Sequence, residues 1–134
     1  TENSKDLRSN CPINFAVETF GDKWTLLVIS DLMFKGKRHY SDFLASDEKI
    51  STNILAEDFK TDDNGVVSKS TDPDNASKFI YSLTEKGQAL LPSMVEMTAW
   101  SAQYDSLTNT PAEFLNTYNE NKDALIKMFK AQFN

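Results

Sequence analysis

Cys11, His39 and the run Ser51-Thr52-Asn53 are the side chains whose types and positions offer chemistry in this 134-residue chain. Cys11 precedes Pro12, and proline suits the first position of a helix, so the thiol is expected at a helix N-cap. There the positive end of the helix dipole favours the reactive thiolate, with Arg8 adding to the effect and Asp6 offsetting it. With a single cysteine, oxidation would give an intermolecular disulfide, a mixed disulfide with a small thiol, or a capped state such as sulfenic acid. The simpler alternative is a small, half-buried residue at a helix start. His39 is the only histidine, and catalysis would need it paired with Cys11 or a serine plus an orienting acid. No such spacing is visible, so His39 beside Arg38 is expected to be a surface or phosphate-facing side chain. Asp72-Pro73-Asp74 lacks the glycine and distal glutamate of a calcium loop. Four glycines in the whole chain leave little room for a phosphate cradle. No catalytic residue, metal or cofactor is therefore expected, and an enzyme is the least favoured class.

Ser51, Thr52 and Asn53 are suited to reading a nucleic acid from the start of a helix. Hydroxyls reach phosphates or base edges, and asparagine can pair bidentately with adenine. Lys37, Arg38 and Lys60 are the cations placed to neutralise phosphates around them, with Lys69 and Lys78 further along. The alternative leaves Ser51 and Thr52 as helix caps and Asn53 as a solvated side chain. The charge balance argues against a general basic footprint, because the net charge is −6 and the pI is near 4.7. The acid is also spread evenly, with a net −2 in each of residues 1–34, 35–86 and 87–134. Only local clusters such as Lys35, Lys37 and Arg38 can supply phosphate contacts.

The elements that must position these residues follow from periodicity and punctuation. Residues 1–9 read as a polar, flexible arm. A first helix carries Ile13, Phe15, Ala16 and Phe20 and ends at Gly21. Asp22 caps a second, running from Trp24 through Leu26, Leu27, Val28, Ile29, Leu32 and Met33 to Phe34. It is apolar on nearly every side and so is expected at the centre of the fold. Tyr40, Phe43 and Leu44 mark a short third helix, and Ser51 or Thr52 opens a fourth with Ile54, Leu55 and Phe59 inward. Gly65 suits a left-handed backbone position. Residues 66–71 and 78–83 read as strands joined by a six-residue tip, Asp72 to Ser77, of strong turn chemistry. After Thr84 a long helix is expected, kinked or delayed by Pro92 and bearing Leu90, Leu91, Met94, Met97, Trp100 and Tyr104. A last helix opens at Thr110-Pro111-Ala112-Glu113 as a capping box, and carries Phe114, Leu115, Tyr118, Leu125, Ile126, Phe129 and Phe133.

The ordered set Cys11-Pro12, Gly21-Asp22-Lys23-Trp24-Thr25-Leu26-Leu27, Asn53-Ile54-Leu55-Ala56-Glu57 and Tyr81-Ser82-Leu83-Thr84-Glu85-Lys86-Gly87 resembles the HxlR-type transcriptional regulators. The resemblance spans roughly residues 8 to 104. It implies a mainly α fold with a small β-hairpin: a winged helix-turn-helix with dimerising N- and C-terminal helices, similar in architecture to the MarR group. One domain, residues 1–134, is expected, with helices, helix-turn-helix and wing in 10–83 and dimerisation helices in 84–134. The resemblance implies a homodimer that binds double-stranded DNA at a pseudo-palindromic operator. The contacts would come from Lys37, Arg38, Ser51, Thr52, Asn53, Lys60, Lys69 and Lys78. Some members use a cysteine at the place of Cys11 as an oxidation or electrophile switch, so an oxidant or small-molecule effector is a candidate partner. Phe15, Met97, Trp100, Tyr104, Tyr118 and Phe129 are the candidate dimer contacts.

Two residues depart from the pattern: Asp58 where such proteins usually carry arginine or a similar polar residue, and Asp62 where they carry a core leucine. With Glu57 and Asp63 they make the expected DNA-reading helix acidic, which keeps a rival open. That rival is a winged-helix dimer that has lost strong DNA binding and acts as a protein-interaction or small-molecule sensor module. The N-terminal residues lack the basic and apolar regions of a signal peptide, and no apolar run is of membrane-spanning length. The expectation is a cytoplasmic protein with no membrane partner.

Overall fold

The computed structural model describes residues 9–20, 25–35, 39 and 65–133. The expected third and fourth helices lie outside the described residues. Helix α1 spans Pro12–Phe20 and α2 spans Thr25–Phe34. A hairpin follows, with β1 at Val67–Asp72 and β2 at Asn75–Leu83, then α3 at Glu85–Gln88 and α4 at Leu91–Tyr104. Helices α5 (Ala112–Glu120) and α6 (Lys122–Lys130) complete the described part. Among the described residues the architecture is mainly helical with one two-stranded antiparallel sheet, as the sequence implies.

Helix α1 begins as expected, because the Cys11 carbonyl accepts the Phe15 N–H at 3.0 Å and so closes the first turn. Helix α2 is central: Val28, Ile29 and Met33 are buried, and with them Asp31. They meet Val66, Val67, Tyr81 and Leu83 from the hairpin, Leu91, Met94 and Val95 from α4, and Phe114 and Leu125 from α5 and α6. Helices α5 and α6 have nine residues each, too short to persist alone in water. Burying a side chain such as Leu125 contributes about 2 kcal/mol, against tenths for helix propensity, so packing decides their structure.

The base of the hairpin is locked by Thr84. Its N–H donates to the Val66 carbonyl at 3.1 Å, and its hydroxyl donates to the Gly65 carbonyl while accepting the Gly87 N–H at 3.1 Å. Gly65 has φ +70°, the left-handed position that the sequence suggested. Gly87 is required for space: a Cβ there would overlap the Val66 carbonyl oxygen and lie 3.1 Å from Leu83 Cδ2. The Thr-Glu-Lys-Gly run therefore fastens a strand pair to a helix through backbone contact.

Several expected elements are altered. Pro92 delays the long helix: Glu85–Gln88 forms one turn, and α4 starts afresh with the proline in its first turn. The last helix is two helices, since Asn121 leaves the helical region (φ −160°, ψ 90°) and its side chain accepts the Ala124 N–H at 3.1 Å, capping α6. The capping box at Thr110 does not form. Pro111 is the N-cap of α5 without a side-chain cap, and the Thr110 hydroxyl pairs with that of Thr108 at 2.8 Å. Among the described residues, no helix is long and apolar enough to cross a membrane.

Candidate nucleic-acid interface

The hairpin tip is tighter than six residues. Asp72 pairs with Asn75, so only Pro73 and Asp74 lie between the strands. Asp72 Oδ1 accepts the Asp74 N–H at 2.8 Å, which folds the chain back at once. Asn75 Oδ1 then accepts the Ser77 N–H at 3.1 Å and its hydroxyl at 2.7 Å. This local bonding accommodates the register shift between Thr71 and Asp72, which leaves Lys78 in the irregular stretch of β2.

Asp72 Oδ2 meets His39 Nε2 at 2.9 Å, and only 8% of Asp72 is exposed. The Asp74 N–H, His39 and the nearby Lys78 hold its carboxyl below the usual aspartate range. Residue 39 also forms an antiparallel bridge with Ile80, on the side of β2 away from β1. His39 is thus a partner of the hairpin as well as the partly exposed side chain that the sequence suggested, 39% of it remaining accessible. The pairing spans 33 residues, and no local motif announces it.

Lys69 and Lys78 are both exposed. Lys69 Nζ stands 4.5 Å from the centroid of the Phe79 ring, so an aromatic face steadies one cation on the wing. Because Asp72 is turned inward, Asp74 is the one carboxylate left exposed on β1, the turn and β2. Lys37, Arg38, Ser51, Thr52, Asn53 and Lys60 lie outside the described residues.

Cys11 is exposed at the start of α1, its N–H donating to Ser9 Oγ at 3.3 Å. Helix α1 is inverted relative to an ordinary surface helix. It buries Asn14, whose side-chain amide donates to Glu18 Oε2 at 3.0 Å, while Ile13 is 70% exposed and Phe15 and Val17 about half. On α4, Met97, Trp100 and Tyr104 are also exposed, at 65% for the tryptophan, with the Trp100 and Tyr104 rings 5.4 Å apart. Tyr118 and Phe129 are placed differently. Tyr118 donates from its hydroxyl to Glu96 Oε1 at 2.6 Å, and Phe129 sits 5.0 Å from Phe34 and 6.0 Å from Phe114, centroid to centroid. Both therefore make contacts within their own chain.

The sequence matches the HxlR-like helix-turn-helix family over residues 19–109, well over half of the chain. The chain belongs to this family. It is 34% identical over 105 residues to the HTH-type transcriptional regulator YodB of Bacillus subtilis, covering 77% of this chain and 93% of that one. The fold is similar to reduced YodB of B. subtilis, with a TM-score of 0.58 and 31% identity over 75% of this chain and all of that one. It is also similar to the redox regulator HypR in its oxidised form, with a TM-score of 0.61 and 26% identity over 69% of this chain and 96% of that one. This HxlR-like protein is accordingly a transcriptional regulator with MarR-like winged-helix architecture, and not an enzyme. The family match ends at residue 109, so α5 and α6 lie beyond it.

Proposed function

We propose that this HxlR-like regulator binds a pseudo-palindromic operator in double-stranded DNA as a homodimer. The observation that carries the DNA reading is the hairpin, whose central acid is turned inward and hydrogen-bonded to His39 while Lys69 and Lys78 stay exposed. Ser51, Thr52 and Asn53 would enter the major groove and the hairpin would flank it, with Lys37, Arg38 and Lys60 on phosphates. The inverted α1 and the outer face of α4 support the homodimer, since Ile13, Phe15, Met97, Trp100 and Tyr104 gain most from a second copy. Each chain then sets its reading helix about one DNA turn from the other.

Cys11 is the proposed regulatory residue. It is exposed and adjoins α1, so oxidation or electrophile capture there would disturb the set of the dimer helices. The likeness to HypR and YodB supports this reading, and a small effector at the dimer helices is the alternative trigger. The compartment that fits is the reducing cytoplasm, where a lone thiol stays reduced until challenged.

The net charge of −6 favours one other reading, a winged-helix dimer serving as a sensor or interaction module without strong DNA affinity. A fluorescence-anisotropy titration against duplex from the protein's own upstream region, at several salt concentrations, separates the two. Regulator function predicts specific binding with a log–log salt slope of several units. Lys69→Ala and Lys78→Ala should each reduce that slope by about one. A folded dimer that binds no duplex at low salt contradicts the proposal and favours the sensor module.

A further inference from the structure

Helices α5 and α6, which follow the part shared with the family, enclose a cleft of about 490 Å³ against the C-terminal half of α2 and the loop before α5. We propose that this cleft is a binding site for a small planar aromatic molecule carrying a hydroxyl or amino donor. Its floor is apolar. Phe34 meets Phe114 and Phe129 edge to face, with centroids 6.3 Å and 5.0 Å away, and Leu125 beside them is fully buried. Such rings accept a further aromatic edge or face at the same spacing. The volume suits a one- or two-ring ligand and falls in the ordinary range of small-molecule pockets, roughly 300–1,000 Å³.

The rim decides the ligand's polarity. Ser30, Asn109, Glu113 and Gln132 line it, and among the described residues none of these side chains is engaged in a hydrogen bond or ion pair. Lys35 also lies on the rim, but its Nζ is 3.5 Å from Asp31 Oδ1, so its charge is met within α2. Glu113, in the first turn of α5, is left as the rim charge without an ion pair among the described residues. A donor group on the ligand gains a charge-assisted hydrogen bond there, whereas an aromatic acid meets a like charge. The site is therefore selective for phenols and aromatic amines over carboxylates of the same shape.

Isothermal titration of the full chain, without DNA, with 2-naphthol and with 2-naphthoate tests this directly and independently of operator binding. Binding of 2-naphthol is expected, with 2-naphthoate weaker by about tenfold or more. Glu113→Lys, at an exposed position, should reverse that preference. Met128→Trp, filling the half-exposed mouth, should remove 2-naphthol binding while circular dichroism stays native. Equal affinity for the two probes, or 2-naphthol bound unchanged by both variants, overturns the proposal. So does absence of 2-naphthol binding to the folded wild type, including the case in which a second copy fills the cleft.

Discussion

The base of the hairpin and the outer face of α1 with α4 satisfy their chemistry in opposite ways. At the hairpin base the contacts close within one chain: Thr84 joins Gly65, Val66 and Gly87, and the glycine leaves no room for a side chain. On the other face, α1 buries an asparagine and displays Ile13, Phe15 and Val17, while α4 displays Trp100 and Tyr104. The first region is complete in one chain, and its purpose is to fix the angle between wing and helix. The second exposes apolar surface that one chain cannot cover, and under the proposed function a second copy covers it. Substitutions should accordingly split into those that unfold the chain and those that only separate two chains.

The sharpest division comes from Gly87→Ala. Overlap with the Val66 carbonyl forces the strand and helix apart, and a loss of about 3 kcal/mol in unfolding free energy is expected by denaturant titration. A neutral result would mean that the wing is not fastened here. Trp100→Ala should do the reverse, weakening self-association by about 2 kcal/mol in sedimentation equilibrium while the far-UV spectrum is unchanged. If Trp100→Ala instead unfolds the chain, the exposed face belongs to the fold rather than to an interface. Thr84→Ala removes the cap of α3 and the bond to Gly65, and should cost about 1–2 kcal/mol without altering self-association.

The smallest effect concerns the clamp that ties α5 and α6 to α4. Glu96 accepts from Tyr118 at 2.6 Å and from Lys122 at 2.5 Å. The Lys122 ammonium, then the Tyr118 hydroxyl, hold the Glu96 carboxyl below its ordinary range, and Glu96 in turn raises both partners. A lowered carboxylate adds stability above its unfolded pKa and loses it as pH falls through the folded value. A raised lysine or tyrosine adds stability below its unfolded pKa and loses it as pH rises through the folded value. The clamp thus holds across neutral pH and opens at both extremes. Glu96→Gln should slightly lower the melting temperature at pH 7 and flatten its fall toward acid; an unchanged acid limb would remove the clamp from the description.

Much of the fold was legible because its signals are local. Pro12 after Cys11, the largely apolar α2, Gly65 at positive φ and the delay imposed by Pro92 each rest on local chemistry. The break at Asn121 was also announced, by an asparagine cap followed by Asp123, but the apolar spacing of Phe114 to Phe129 masked it. What the sequence does not show is contact at a distance. The His39–Asp72 pair closes a loop of more than thirty residues, and the Gly87 constraint depends on a carbonyl 21 positions earlier. The tip of the wing reads as a six-residue connection because its residues favour turns, whereas the buried Asp72 makes it a short, pinned one.

The central proposal, a dimer that reads DNA, is tested most directly by sedimentation velocity of a fluorescently labelled upstream duplex titrated with the protein. Saturation should add the mass of two 15.1 kDa chains to each duplex in a single step. Trp100→Ala should split that step or abolish it. One chain per duplex, or a duplex whose sedimentation never changes beside a folded dimer, would contradict it.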